Sequence, residues 1–135
     1  MAIASLSPLV GTWDASFEVV SGPDRVSGRA VDTYRWLTGE KVLLHTTKGE
    51  LGGRAIEAVE LFREDGDLIR SWSIMADGSV AESTATLTGQ SYEIDGETER
   101  FRGRIETPDR VVGEWQRRED GGWQPWMKLT LDRKA

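Results

Sequence analysis

From Trp13 the chain alternates. Trp13, Ala15, Phe17 and Val19 fall on one side, and Asp14, Ser16 and Glu18 on the other. A period of two over this length is that of a half-buried β-strand. The same period returns further on. Residues 26–37 place Gly28, Ala30, Tyr34 and Trp36 on one phase and Arg29, Thr33 and Arg35 on the other. Residues 99–106 interleave Arg100, Arg102 and Arg104 with Phe101, Gly103 and Ile105, which gives one wet face and one dry. Residues 123–132 carry Trp123, Met127, Leu129 and Leu131 in phase. Segments 41–48, 54–63, 68–75, 79–88, 91–95 and 110–118 also read as strands. In 41–48 both faces carry β-formers, so its inward phase stays open. No stretch sustains a helical period.

The breaks between these runs are turn chemistry. Ser21-Gly22-Pro23-Asp24, Glu64-Asp65-Gly66-Asp67, Ala76-Asp77-Gly78, Thr107-Pro108-Asp109 and Glu119-Asp120-Gly121-Gly122 are short and built of turn formers. About ten strands joined this way predict an up-and-down antiparallel meander. An open meander exposes two sheet edges, and pairing the first strand with the last removes both. The expected fold is therefore all-β, a single antiparallel up-and-down barrel, with residues 1–135 as one domain. A barrel of this size has room for one small ligand. Residues 1–9, with Pro8, are expected to be irregular or a single 3₁₀ turn capping one end. Gly49-Glu50-Leu51-Gly52-Gly53 reads as a flexible loop over the mouth, and Arg133-Lys134-Ala135 as a frayed tail.

Composition narrows the function. The chain has 135 residues, 30% of them charged, and a formal net charge of −6. That balance disfavours nucleic acid and anionic membrane surfaces, which both call for a basic face. Cysteine is absent, so disulfides, thiolate metal sites and cysteine nucleophiles are excluded. No apolar run reaches the ~20 residues of a membrane-spanning helix, and residues 1–10 lack the basic start and the apolar length of a signal peptide. The expected location is the cytoplasm. The six tryptophans are many for so short a chain, and flat rings serve both as core filler and as pocket wall.

The order of several short motifs resembles a group of small bacterial lipocalin-like (calycin) barrel proteins, largely uncharacterised and related in fold to nitrobindin. The motifs are Leu9-Val10-Gly11-Thr12-Trp13, Trp36-Leu37, Arg100-Phe101-Arg102-Gly103, Gly113-Glu114-Trp115, Glu119-Asp120-Gly121-Gly122-Trp123 and the final Leu129-Thr130-Leu131 before Arg133. The resemblance implies a lipocalin-like barrel in which Trp13 packs under Arg133 as a closing cation–π pair. It departs from nitrobindin-type haem binding, because no histidine follows His45. Met127 stands near the place of a haem ligand and is a less common lone axial ligand. No cofactor is expected.

Candidate chemistry is sparse. His45 is the single histidine and the one side chain whose ordinary titration lies near neutrality. As a general base it needs an inward position and an orienting carboxylate, for which Glu60, Glu82 and Asp32 are candidates. One histidine without cysteine does not make a zinc site, and no metal is expected. Glu60, Arg70, Glu82 and Glu114 interrupt otherwise apolar or small-residue strands. Arg70, sharing its phase with Leu68, Trp72 and Ile74, is the expected inward charge. Tyr34, Trp36, Trp72 and Met127, with Arg70, are the expected pocket wall. Trp126 lies on the phase opposite Trp123, so exposure and a candidate homodimer contact are expected there.

The leading expectation is that the barrel binds a small, largely apolar or aromatic molecule. The alternative is a cofactor-free enzyme on the same barrel, an isomerase, cyclase or hydrolase, in which His45 or a buried pair such as Glu60 with Arg70 moves a proton. A third reading is an interaction protein with a filled barrel.

Overall fold

The computed structural model describes residues 2–23 and 25–134. Asp24, in the first predicted turn, and Ala135, in the predicted tail, lie outside the described residues.

A 3₁₀ segment, Ile3–Leu9, precedes ten strands: β1 (Gly11–Val19), β2 (Val26–Trp36), β3 (Val42–Leu51), β4 (Arg54–Asp65), β5 (Leu68–Met75), β6 (Val80–Thr88), β7 (Ser91–Gly96), β8 (Glu99–Thr107), β9 (Arg110–Glu119) and β10 (Gly122–Arg133). Each pairs antiparallel with its neighbours in sequence, and β1 also pairs with β10, from Trp13 opposite Arg133 to Val19 opposite Met127. The sheet is thus a closed barrel, and it has no free edge. No helix among the described residues is long and apolar enough to cross a membrane.

One end is plugged. Ile3, Leu6 and Leu9 are buried and sit at every third residue, the spacing that aligns side chains on a 3₁₀ turn. They join Trp13, Leu43, Phe62, Ile69, Val111 and Leu131 in a packed layer. Trp13 Nε1 donates to the Leu9 carbonyl at 2.8 Å, which fixes the plug to β1. The Arg133 guanidinium lies 4.1 Å over the Trp13 ring. It also donates to the carbonyls of Val10, Pro8 and Pro108. The end of β10 is therefore tied down and not frayed, and the Lys134 amide continues the pairing to the Thr12 carbonyl.

Residues 49–53 are not a loop over the mouth. β3 runs through Gly49 to Leu51 and only Gly52 and Gly53 turn the chain. Gly49 stands opposite Ala30, where a Cβ would lie 2.1 Å from the Arg29 carbonyl oxygen. Glycine is there because two backbones approach closely, not because the segment is loose.

Candidate ligand-binding site

The site forms where β2, β3 and β4 lie side by side. Tyr34 on β2 stands opposite His45 on β3, which stands opposite Glu60 on β4. Asp32 precedes Tyr34 by two residues, so it shares the inward face. This register puts four polar side chains on one patch of the inner wall. The His45 ring lies flat on Tyr34, with centroids 4.0 Å apart and planes 7° from parallel. Its Nε2 is 2.7 Å from Asp32 Oδ2 and its Nδ1 is 3.0 Å from Glu60 Oε1. Thr47 donates to Asp32 Oδ2, and Ser73 donates to Glu60 Oε2. The Tyr34 and Tyr92 hydroxyls are 3.3 Å apart across the floor.

A carboxylate only accepts, so two carboxylates facing the two ring nitrogens call for a hydrogen on each. His45 is then an imidazolium. Burial alone pushes its pKa down, but the hydrogen bonds and charges of Asp32 and Glu60 outweigh that and raise it to about 9. The phenols of Tyr34 and Tyr92 are held well above their ordinary value, first by burial and then by nearby negative charge. Both nitrogens of His45 being committed, the ring has no lone pair for a substrate proton or for a metal. A proton-transfer role would have to fall to Asp32 or Glu60. Among the described residues no group of three or more histidine, cysteine or acidic side chains is placed to hold a metal ion.

Above this patch the barrel is hollow. The cavity measures about 710 Å³ and is walled by Phe17, Ile94, Phe101, Trp115, Met127 and Leu129, with the Asp32–His45–Glu60 patch on one side. The volume lies in the ~300–1,000 Å³ range of small-molecule sites. Phe101 packs tilted against Trp115 at 5.3 Å and edge-on to Tyr92 at 5.5 Å. Space for its ring comes from the facing pair Gly103 and Gly113, where a Cβ would lie 2.4 Å from ring carbons of Phe101. Leu51, Ile56, Met75, Val80, Glu97 and Trp126 rim the mouth.

Two residues expected in the wall face elsewhere. Arg70 points outward and pairs with Asp65 and Glu82. Trp72 also points outward, with Arg63 5.1 Å above its ring. The inward residues of β5 are Ile69, Ser71 and Ser73. Counting large apolar residues favours the opposite phase, but Ser71 stands opposite Phe62, and only a small side chain leaves that ring its space. Arg70→Ala should therefore leave ligand binding unchanged and the melting temperature nearly so, because exposed pairs contribute little. A loss of binding in that variant would place the guanidinium in the site. Trp36 is half-buried and packs against the plugged end, next to Leu43. It is not part of the cavity wall. Tyr34 and Met127 are in the wall, and His45 and Glu60 meet there.

Trp126 was expected to be an outer residue. A bulge between Pro125 and Met127 breaks the alternation of β10. Trp123 lies outside, between Arg100 and Arg118, while Trp126 lines the mouth beneath Arg117, 3.7 Å away. Sequence reasoning passed over Tyr92, Phe101 and Trp115 as wall residues. The signal that marks them is their inward phase combined with position toward the open end, which only the closed register reveals.

No family model matches the chain, and no curated protein matches it. Solved structures similar in fold include the following two. One is a de novo designed fluorescence-activating β-barrel, 17% identical, with TM-score 0.54 over 99% of this chain and 100% of that one. The other is the S-type phycobiliprotein lyase CPES from Guillardia theta, 11% identical, with TM-score 0.56 over 100% of this chain and 94% of that one. Likeness at these identities establishes the ten-stranded antiparallel barrel and nothing finer.

Proposed function

We propose that this protein binds a small, largely apolar organic molecule inside the barrel. The observation that carries the reading is the hollow itself: one end is plugged, the other is open, and the space between has aromatic and aliphatic walls with the Asp32–His45–Glu60 patch buried on one side. Burial of an apolar body against Phe17, Phe101, Trp115 and Leu129 supplies affinity at roughly 25 cal/mol per Å². The polar patch supplies orientation. The fold neighbours support the reading, since their names are those of a fluorescence-activating barrel and a phycobiliprotein lyase. The closing Trp13–Arg133 pair supports kinship with the lipocalin-like, nitrobindin-related barrels.

The test uses N-phenyl-1-naphthylamine, a neutral dye that brightens in apolar surroundings. Wild-type protein should take up one dye per barrel and show quenched tryptophan emission, because Trp115 and Trp126 line the space. Ala58→Trp, which fills the cavity from β4, should abolish uptake while the circular dichroism stays that of a folded barrel. Equal uptake by both proteins would put the dye on the surface and defeat the proposal.

A further inference from the structure

Resting on that reading, we infer that the preferred ligand is an organic cation, an ammonium group on an aromatic or aliphatic body, with the charged end on the Asp32–His45–Glu60 patch. Two carboxylates surround one imidazole, so the patch keeps one uncompensated negative charge when His45 is protonated and two when it is not. Buried charge is costly unless it is paired. Asp32 is 4% exposed, and its Oδ1 has no hydrogen-bond partner although Oδ2 has two. That oxygen is itself closed off, so what draws a ligand is the net negative charge the patch turns to the cavity, and an ammonium brings both the hydrogen and the opposite charge.

Among the described residues the rest of the wall gives an anion one cation, and that one stands at the mouth, away from the patch. The basic residues lining the cavity are His45 and Arg117. His45 is held by its two carboxylates. Arg117 is stacked on Trp126 at the mouth and lies 3.7 Å from Glu99. Glu97 adds another negative group to the rim. Phe101 and Trp115 in the wall add aromatic surroundings, which suit a cation better than an anion. The metal alternative lacks a ligand set, for the reason given above, so the cation is organic.

Three ligands with a shared naphthalene body decide the matter: 2-(1-naphthyl)ethylamine, 2-(1-naphthyl)ethanol and 1-naphthaleneacetate. Their dissociation constants are measured by calorimetry at pH 7. The ammonium should bind about tenfold more tightly than the alcohol, the gap between a charged and a neutral hydrogen bond, and the acetate should bind weakest. Asp32→Asn and, independently, Glu60→Gln should bring ammonium and alcohol to near parity, with melting curves showing that each variant is folded. An alcohol or acetate that binds as tightly as the ammonium in wild-type protein overturns the inference and leaves the cavity reading intact. Failure of all three while N-phenyl-1-naphthylamine binds also overturns the inference alone. Failure of all four ligands takes the cavity reading with it.

Discussion

Between pH 6.5 and pH 9 the protein should lose about 10 °C of melting temperature, and His45→Gln should abolish most of that loss. The imidazole is raised from its ordinary 6.5 to about 9 in the folded state. A group with a raised folded pKa contributes its stability in full below the unfolded value and loses it as pH climbs through the folded one. The window is therefore 6.5 to 9, with stability falling as pH rises. A shift of that size corresponds to about 3 kcal/mol, or about 10 °C for a chain of this length. The groups facing His45 are Asp32, Glu60 and the stacked Tyr34, with Tyr92 beyond it. The two phenols are also raised. Their own loss of stability runs in the same direction but begins above pH 10, outside the window. A melting temperature that stays level from 6.5 to 9 would mean that the imidazole is not charged between its carboxylates.

Trp13→Ala should lower stability by about 3–5 kcal/mol, the range for deleting a buried aromatic side chain, and the melting temperature by more than 10 °C. Trp13 is fully buried and serves three attachments at once. It packs in the plug layer, it holds the 3₁₀ segment through Leu9, and it carries Arg133 on its face. Its backbone sits in the β1–β10 ladder opposite that same arginine. The substitution thus removes core volume at the seam where the barrel shuts. Arg133→Ala should give a smaller fall, since the three carbonyls it serves lie near solvent and water replaces the lost donors. A Trp13→Ala protein that melts beside its parent would show that the seam is held by the strand ladder alone.

The two predictions probe separate layers of the same barrel. The plug is apolar and tolerates pH; the patch above it is ionic and does not. Asp32→Asn and Glu60→Gln address the second layer without disturbing the first, which is why they serve to test ligand charge.

What the chain states locally is the number of strands and their closure. Alternation in β1, β2 and β8 and the Asp-Gly and Pro turns are properties of neighbouring residues, so they are legible in one dimension. Closure follows from them, because a ten-stranded meander must hide its edges. The pair of Trp13 and Arg133 was legible too, as part of a resemblance. The facing direction of β5 was not. Leu68, Trp72 and Ile74 outweigh Ile69, Ser71 and Ser73 by size, and the strand turns its smaller set inward because Phe62 across the ladder needs the space. A slip of one residue reverses every side chain, so such a phase is decided between strands and not within one. The bulge at Trp126 is a second case: an extra residue opposite β9 re-aims an indole that the alternation had sent outward. The patch is the third. Asp32 and Glu60 stood with Glu82 as candidate partners of His45, and the sequence did not choose among them. The meeting of Asp32, His45 and Glu60 required the registers of two strand pairs to add up, and only the folded barrel performs that sum.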